Sequence, residues 1–165
     1  MSPPVEPWLR GLLPGLDPVI AHLVRAGEQV REDMERAISS LNTSKLWFPP
    51  AGITPAGFHA KHLAGSTDRL CSYLAGEQLS AERLTRLSAE SVTGDTAEEL
   101  LKAIAVALAR YESLLRGLRR QEFDTLREVG RRRLKVTAIG LAIHIAEHAQ
   151  RHTGQAITAA QAAIR

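Results

Sequence analysis

Five of the six histidines fall into two tight groups, His59 and His62, then His144, His148 and His152. Neutral imidazole is the commonest protein ligand for first-row transition metals. Two imidazoles four residues apart on a helix lie on one face, about one turn apart, and can grip a single ion. With about 100° of rotation per residue, Leu141, Ile145, His148, His152 and Ala156 fall within about 80° of one another. His148 and His152 therefore project with the apolar face, toward the interior of a folded chain. His144 lies at the edge of that arc and about 12 Å along the axis from His152, too far to share an ion readily. Burying several unpaired imidazoles is costly, and a common metal removes that cost. Ordinary hydrogen bonding at the edge of a core is the competing explanation.

The other polar residues near these groups divide less cleanly. Periodicity places His59 more centrally on the apolar wheel than His62, so spacing alone leaves either as the partner from the earlier group. His144-Ile145-Ala146-Glu147-His148 also fits the HxxEH pattern of inverted zinc peptidases, in which the glutamate is the general base. Such an enzyme needs a further carboxylate ligand downstream, and no acidic residue follows His148. Glu147 lies about 100° from His148 and away from the apolar face, so the match reads as coincidence. Cys71 lies about 180° from His62 and is not expected to be a ligand. Trp47 and Phe48 precede the histidine helix and either wall a pocket or pack under a loop. His22 has no assigned role.

Four long helical segments position these residues. The first is expected from about Asp17 to Leu41, with apolar positions at Ile20, Leu23, Val30, Met34, Ala37 and Leu41. Asp17-Pro18 supplies a capping carboxylate followed by proline at the first helical position. A turn-rich stretch from Asn42 to Ile53 leads to a second helix, opened by Thr54-Pro55 and ending near Leu74. Glu77 to Asp95 forms a long polar connection that has room for a short helix. The third helix, about Thr96 to Leu118, carries a narrow seam at Ala97, Leu101, Ile104, Leu108, Tyr111, Leu115 and Leu118. The fourth begins near Thr137 and runs toward the C-terminus. No internal repeat and no strand is evident. The expected fold class is all-α, a four-helix bundle in one domain over residues 1–165. The long connection between the second and third helices can carry the chain across the bundle.

Composition agrees with this reading. A chain of 165 residues can bury a core. Only 4% of its residues are aromatic. Ala and Leu are abundant while β-branched residues are sparse, which favours helices packed through small and aliphatic side chains. The single cysteine cannot form an internal disulfide, no apolar run reaches membrane-spanning length, and the proline-broken start lacks the order of a signal peptide. A cytoplasmic protein is expected. The net charge of +3 comes largely from Arg116 to Lys135. Acidic residues interleave that stretch, so a solvated connection is a better reading than a nucleic-acid surface.

The segment His148-Ala149-Gln150-Arg151-His152-Thr153-Gly154-Gln155 resembles the C-terminal HxxxHxGQ signature of the DinB-like superfamily. His62-Leu63-Ala64-Gly65-Ser66-Thr67-Asp68-Arg69-Leu70 resembles the second-helix motif that supplies that family's first ligand. The order of elements agrees over nearly the whole chain. The resemblance implies a four-helix bundle with an unusual crossover, one nickel or zinc ion, and the ligand set His62, His148 and His152. It therefore decides for His62 over His59. Gly154 is read as a point of close helix approach, and Gln155 as an amide that orients a neighbour.

Three imidazoles leave a metal with open positions, the arrangement of a catalytic rather than a sealed site. The resemblance implies a metal-dependent enzyme, either a hydrolase or a thiol S-transferase acting on a small-molecule substrate, and frequently a homodimer. A non-catalytic metal-binding or stress-associated protein is a second possibility. A helical interaction module that uses the basic segment Arg119 to Lys135 is a third. No residue is assigned as a catalytic acid or base.

Overall fold

A computed structural model describes residues 5–81, 83, 85 and 89–164. The helices start where short polar side chains can satisfy the free N–H groups of a first turn. Helix α1 spans Pro18–Ile38, with Asp17 accepting from the Val19 N–H at 2.9 Å and Pro18 in the first turn. A single turn, α2 at Thr43–Leu46, is capped by Asn42. Helix α3 spans Ala56–Leu74. Here the expected cap is displaced: Pro55 holds the cap position without a side-chain bond, which leaves Thr54 one residue outside the helix. Helix α4, Ala97–Gly117, opens with a reciprocal pair, the Glu99 N–H donating to Thr96 Oγ1 and the Thr96 N–H to Glu99 Oε2. Helix α5, Ala138–Ala163, is capped by the Thr137 hydroxyl.

The four long helices close a ring in which α1 packs on α5, α5 on α3, α3 on α4 and α4 on α1. Two apolar clusters fill it. One joins Val30, Met34 and Ile38 to Ala60 and Leu63, to Ile104, and to Ala156 and Ala160. The other joins Ile20, Leu23 and Val24 to Cys71 and Leu74, to Tyr111 and Leu115, and to Leu141 and Ile145. The late part of α1 thus shares a level with the early parts of α3 and α4 and the late part of α5. It follows that α3 and α4 run parallel, antiparallel to α1 and α5. A connection between parallel neighbours must return along the full length of the bundle, which is why Glu77 to Asp95 is long. In that stretch Ala81, Arg83 and Thr85 are helical, and Ala89–Ser91 forms a 3-10 turn. The remainder of the short helix expected there lies outside the described residues.

The seam of α4 is buried as expected at Ala97, Ile104, Leu108, Tyr111 and Leu115, together with Leu100 and Ala107. Tyr111 is 2% exposed, and its hydroxyl donates to the Ala142 carbonyl across the bundle at 2.7 Å. A buried hydroxyl so paired contributes about 1 kcal/mol, where an unpaired one would cost more than that. Helix α1 ends at Ile38, earlier than expected, and Ile38 rather than Leu41 is fully buried.

The expectation of no strand is corrected between α4 and α5. Strands β1 (Leu126–Val129) and β2 (Leu134–Thr137) form an antiparallel hairpin with Leu126 opposite Thr137 and Val129 opposite Leu134. Gly130 takes φ +72° in its turn, a conformation that favours glycine. Much of the basic segment therefore folds as a hairpin held by specific bonds. Arg127 Nε donates to the Leu74 carbonyl at the end of α3 at 2.7 Å, and Arg133 pairs with Glu128 at 3.1 Å. Among the described residues, no helix is long and apolar enough to cross a membrane.

Candidate metal centre

The seam between α3 and α5 carries a polar layer where the two apolar clusters meet. His62 comes from α3, and His148 and His152 come from successive turns of α5. One ring nitrogen of each lies within 4.8 Å of the others, and all three residues are half-buried. Phe58, one turn before His62, lies nearly parallel to its imidazole, with ring centroids 5.8 Å apart.

The outward nitrogens of the trio are engaged. His62 Nδ1 lies 2.7 Å from Glu90 Oε2, and the other carboxylate oxygen of Glu90 pairs with Arg69. His148 Nδ1 lies 3.3 Å from Ser66 Oγ. Ser66 directs its own proton to the Leu63 carbonyl, so its oxygen is free to accept from an Nδ1–H of His148. His152 Nδ1 lies 3.2 Å from His59 Nδ1. In each case the hydrogen bond leaves Nε2 as the nitrogen whose lone pair can meet an ion.

Burial pushes His148 down to about 4, with the nearby charges of His62, His144, Arg151 and Arg69 acting in the same direction. Burial likewise pushes His152 to about 4, reinforced by His62, His148, His59 and Arg151. Both rings are therefore neutral at physiological pH, the form that binds metal. Burial opposes ionisation of Glu90, but the bonds from His62 and Arg69 outweigh it and hold the carboxyl below its ordinary range. The donor set, three imidazoles with a carboxylate behind one of them, fits a borderline divalent metal such as zinc or nickel.

The structure thus brings together the three histidines expected as ligands. His59 is buried at 6% exposure and stands behind His152 rather than among the three. His144 and Glu147 are exposed at 49% and 63% and face each other at 3.9 Å on the outer side of α5. The HxxEH match places neither a base nor a second ligand at the centre. Cys71 is fully buried in the apolar cluster that contains Tyr111 and Leu141, and burial pushes its thiol up to about 12. His22 is exposed on α1.

One expectation is corrected, and the choice left open for Trp47 falls to packing. Gly154 is exposed, and a Cβ there would meet nothing within 4 Å, so it does not mark a close helix approach. Trp47 packs against Gly57, donates its indole N–H to the Asp95 carbonyl at 2.8 Å and thereby ties the loop after α1 to the start of α4. Phe48 is 53% exposed. The group that spacing did not reveal is Glu90, which arrives from the crossover. Ser66 and Arg69 were legible in principle, since they follow His62 by four and seven residues on one helical face.

Two cavities are lined by residues that contact the layer, and neither is lined by His62, His148 or His152 themselves. One of about 570 Å³ is lined by Gly65, Arg69 and Glu90, over a wall that includes Ala64, Leu100 and Ala103. Another of about 400 Å³ is lined by His59, Arg151, Gly154 and Gln155.

Fold and site together define a four-helix bundle with a parallel middle pair and a three-imidazole centre at one helix seam. The chain belongs to the DinB superfamily, whose family model matches residues 26–156. Two solved structures share the fold. A conserved protein from Enterococcus faecalis aligns at 17% identity with a TM-score of 0.67, covering 87% of this chain and 95% of its own. YfiT from Bacillus subtilis, described as a probable metal-dependent hydrolase with an unusual four-helix bundle topology, aligns at 17% identity with a TM-score of 0.63. That alignment covers 92% of this chain and 91% of YfiT. No curated protein matches.

Proposed function

We propose that the chain is a metal-dependent hydrolase of small molecules, with one zinc or nickel ion held by His62, His148 and His152. The observation that carries this reading is the convergence of three imidazole nitrogens within 4.8 Å of one another at a half-buried seam. A structural zinc site is closed by four protein ligands, whereas three leave a coordination position for substrate or water. When bound, such an ion acts as a Lewis acid and lowers the pKa of water toward neutrality. The description of YfiT as a probable metal-dependent hydrolase supports the same class.

The chain's own contribution is to hold the donors. Helix α5 sets His148 and His152 one turn apart, and α3 brings His62 across from them. Glu90, Ser66 and His59 bond to the far nitrogens, which orients each ring. The cavities lined by Glu90 and by His59, the partners of His62 and His152, are of a size that accepts small molecules.

The test is a substrate screen of zinc- and nickel-loaded protein against carboxylic, phosphoric and amide substrates, with and without low-molecular-weight thiols. The reading expects hydrolysis that a chelator abolishes, metal restores and His148→Ala lacks. Turnover that requires the thiol and forms a thioether would assign a transferase instead. Hydrolysis equally fast in the chelated protein would refute the proposal.

A further inference from the structure

A carboxylate from the crossover reaches the candidate metal centre beside the bare Cα of Gly65. Glu90 is 7% exposed, with one oxygen 2.7 Å from His62 Nδ1 and the other paired with Arg69. A Cβ built at Gly65 would overlap Glu90 Oε1, so a larger residue at 65 would push the carboxylate from the place it now holds. Glycine in a helix interior is less favourable than alanine. Here its bare Cα lets Glu90 approach α3 one turn beyond His62, while Arg69, one turn further on, neutralises the second oxygen. Three residues of α3 and one of the crossover thus form a single device: a seat, an anchor and a carboxylate aimed at the ring.

We propose that Glu90, seated by Gly65 and anchored by Arg69, is the positioning residue of the metal centre. It holds His62 with its proton on Nδ1 and its Nε2 lone pair turned toward His148 and His152. The inference rests on the metal-binding reading above. A carboxylate behind a histidine fixes tautomer and ring orientation and raises ligand basicity, and its loss typically weakens metal binding 10- to 100-fold. An imidazole free to rotate, or protonated on Nε2, loses a correctly aimed donor. Glu90 touches the ligand rather than the reacting atoms, so it positions the centre and is not a catalytic residue.

The experiment compares wild-type protein with Glu90→Gln, Glu90→Ala and Gly65→Ala. Zinc and cobalt affinities are measured by chelator competition, and the cobalt visible spectrum and the downfield His62 Nδ1 proton resonance are recorded. Thermal melting of the metal-free proteins serves as the fold control. Gly65→Ala is informative because it leaves both partners intact and improves helix propensity while displacing the carboxylate. The expected result is a loss of at least tenfold in affinity for Glu90→Ala and Gly65→Ala, with an altered cobalt spectrum and loss of the downfield proton signal. Glu90→Gln, which retains an acceptor oxygen, should lose less. Affinities and cobalt spectra of Glu90→Gln and Gly65→Ala within twofold of and identical to wild type would overturn the inference while leaving the metal site standing. Failure of the wild type itself to bind either ion would overturn both.

Discussion

His59 Nδ1 lies 3.2 Å from His152 Nδ1, so the α3 histidine outside the converging trio is hydrogen-bonded to a member of it. Two imidazole Nδ1 atoms at this distance share one proton. For His152 to offer Nε2 to an ion, that proton must sit on His152 and point at the lone pair of His59. His59 is then the acceptor, with its own proton on Nε2. Replacing it by phenylalanine keeps the ring volume and removes the acceptor. His59→Phe should weaken zinc binding about tenfold, the lower end of the range for a partner behind a ligand. Chelator competition measures this. Unchanged affinity would show that the pair is packing alone.

The spacing of His148 and His152 was readable because one helix carries both, with its apolar face marking the interior. His62 was not separable from His59 by periodicity, since both lie near the face that α3 turns to α5; the family motif distinguished them. Glu90 was beyond reach. Its position depends on α3 and α4 running parallel, which forces the chain back along the bundle and past His62, and no local pattern encodes that return. The hairpin was missed for a different reason. Each strand has four residues within an arginine-rich stretch, too short for alternation to stand out, and only Gly130 marked its turn.

Stability of the metal-free protein should fall as pH drops from neutral. His148 and His152 are held near 4 in the fold, well below the 6.5 of a free imidazole. Between these values the unfolded chain binds protons that the folded chain does not, so the unfolded state gains as pH decreases. His59, also lowered by burial and then by His62, acts in the same direction. Melting temperatures in the presence of chelator should decline steadily from pH 7 to pH 5. Glu90, held below its ordinary range, adds to the loss at lower pH still. A flat profile between pH 7 and 5 would contradict the burial of these rings.

Cys71 should be unreactive in the folded protein. It is fully buried, and burial pushes its thiol up to about 12, whereas attack requires thiolate and access. Modification by an aromatic disulfide reagent should proceed at the rate of global unfolding and accelerate sharply in denaturant. Because Cys71 sits in the apolar cluster with Tyr111 and Leu141, and not among the histidines, chelation should change that rate only through its effect on stability. Rapid native-state labelling would contradict the packing of α3 against α1 and α5.

The most direct measurement is elemental analysis of protein purified without a metal-affinity tag, beside its His62→Ala, His148→Ala and His144→Ala variants. The expected result is about one zinc or nickel per chain in the wild type and in His144→Ala, with the metal lost from the other two. No bound metal in the wild type, even after incubation with both ions, would contradict the three-histidine centre. Metal retained in both His62→Ala and His148→Ala would contradict it equally.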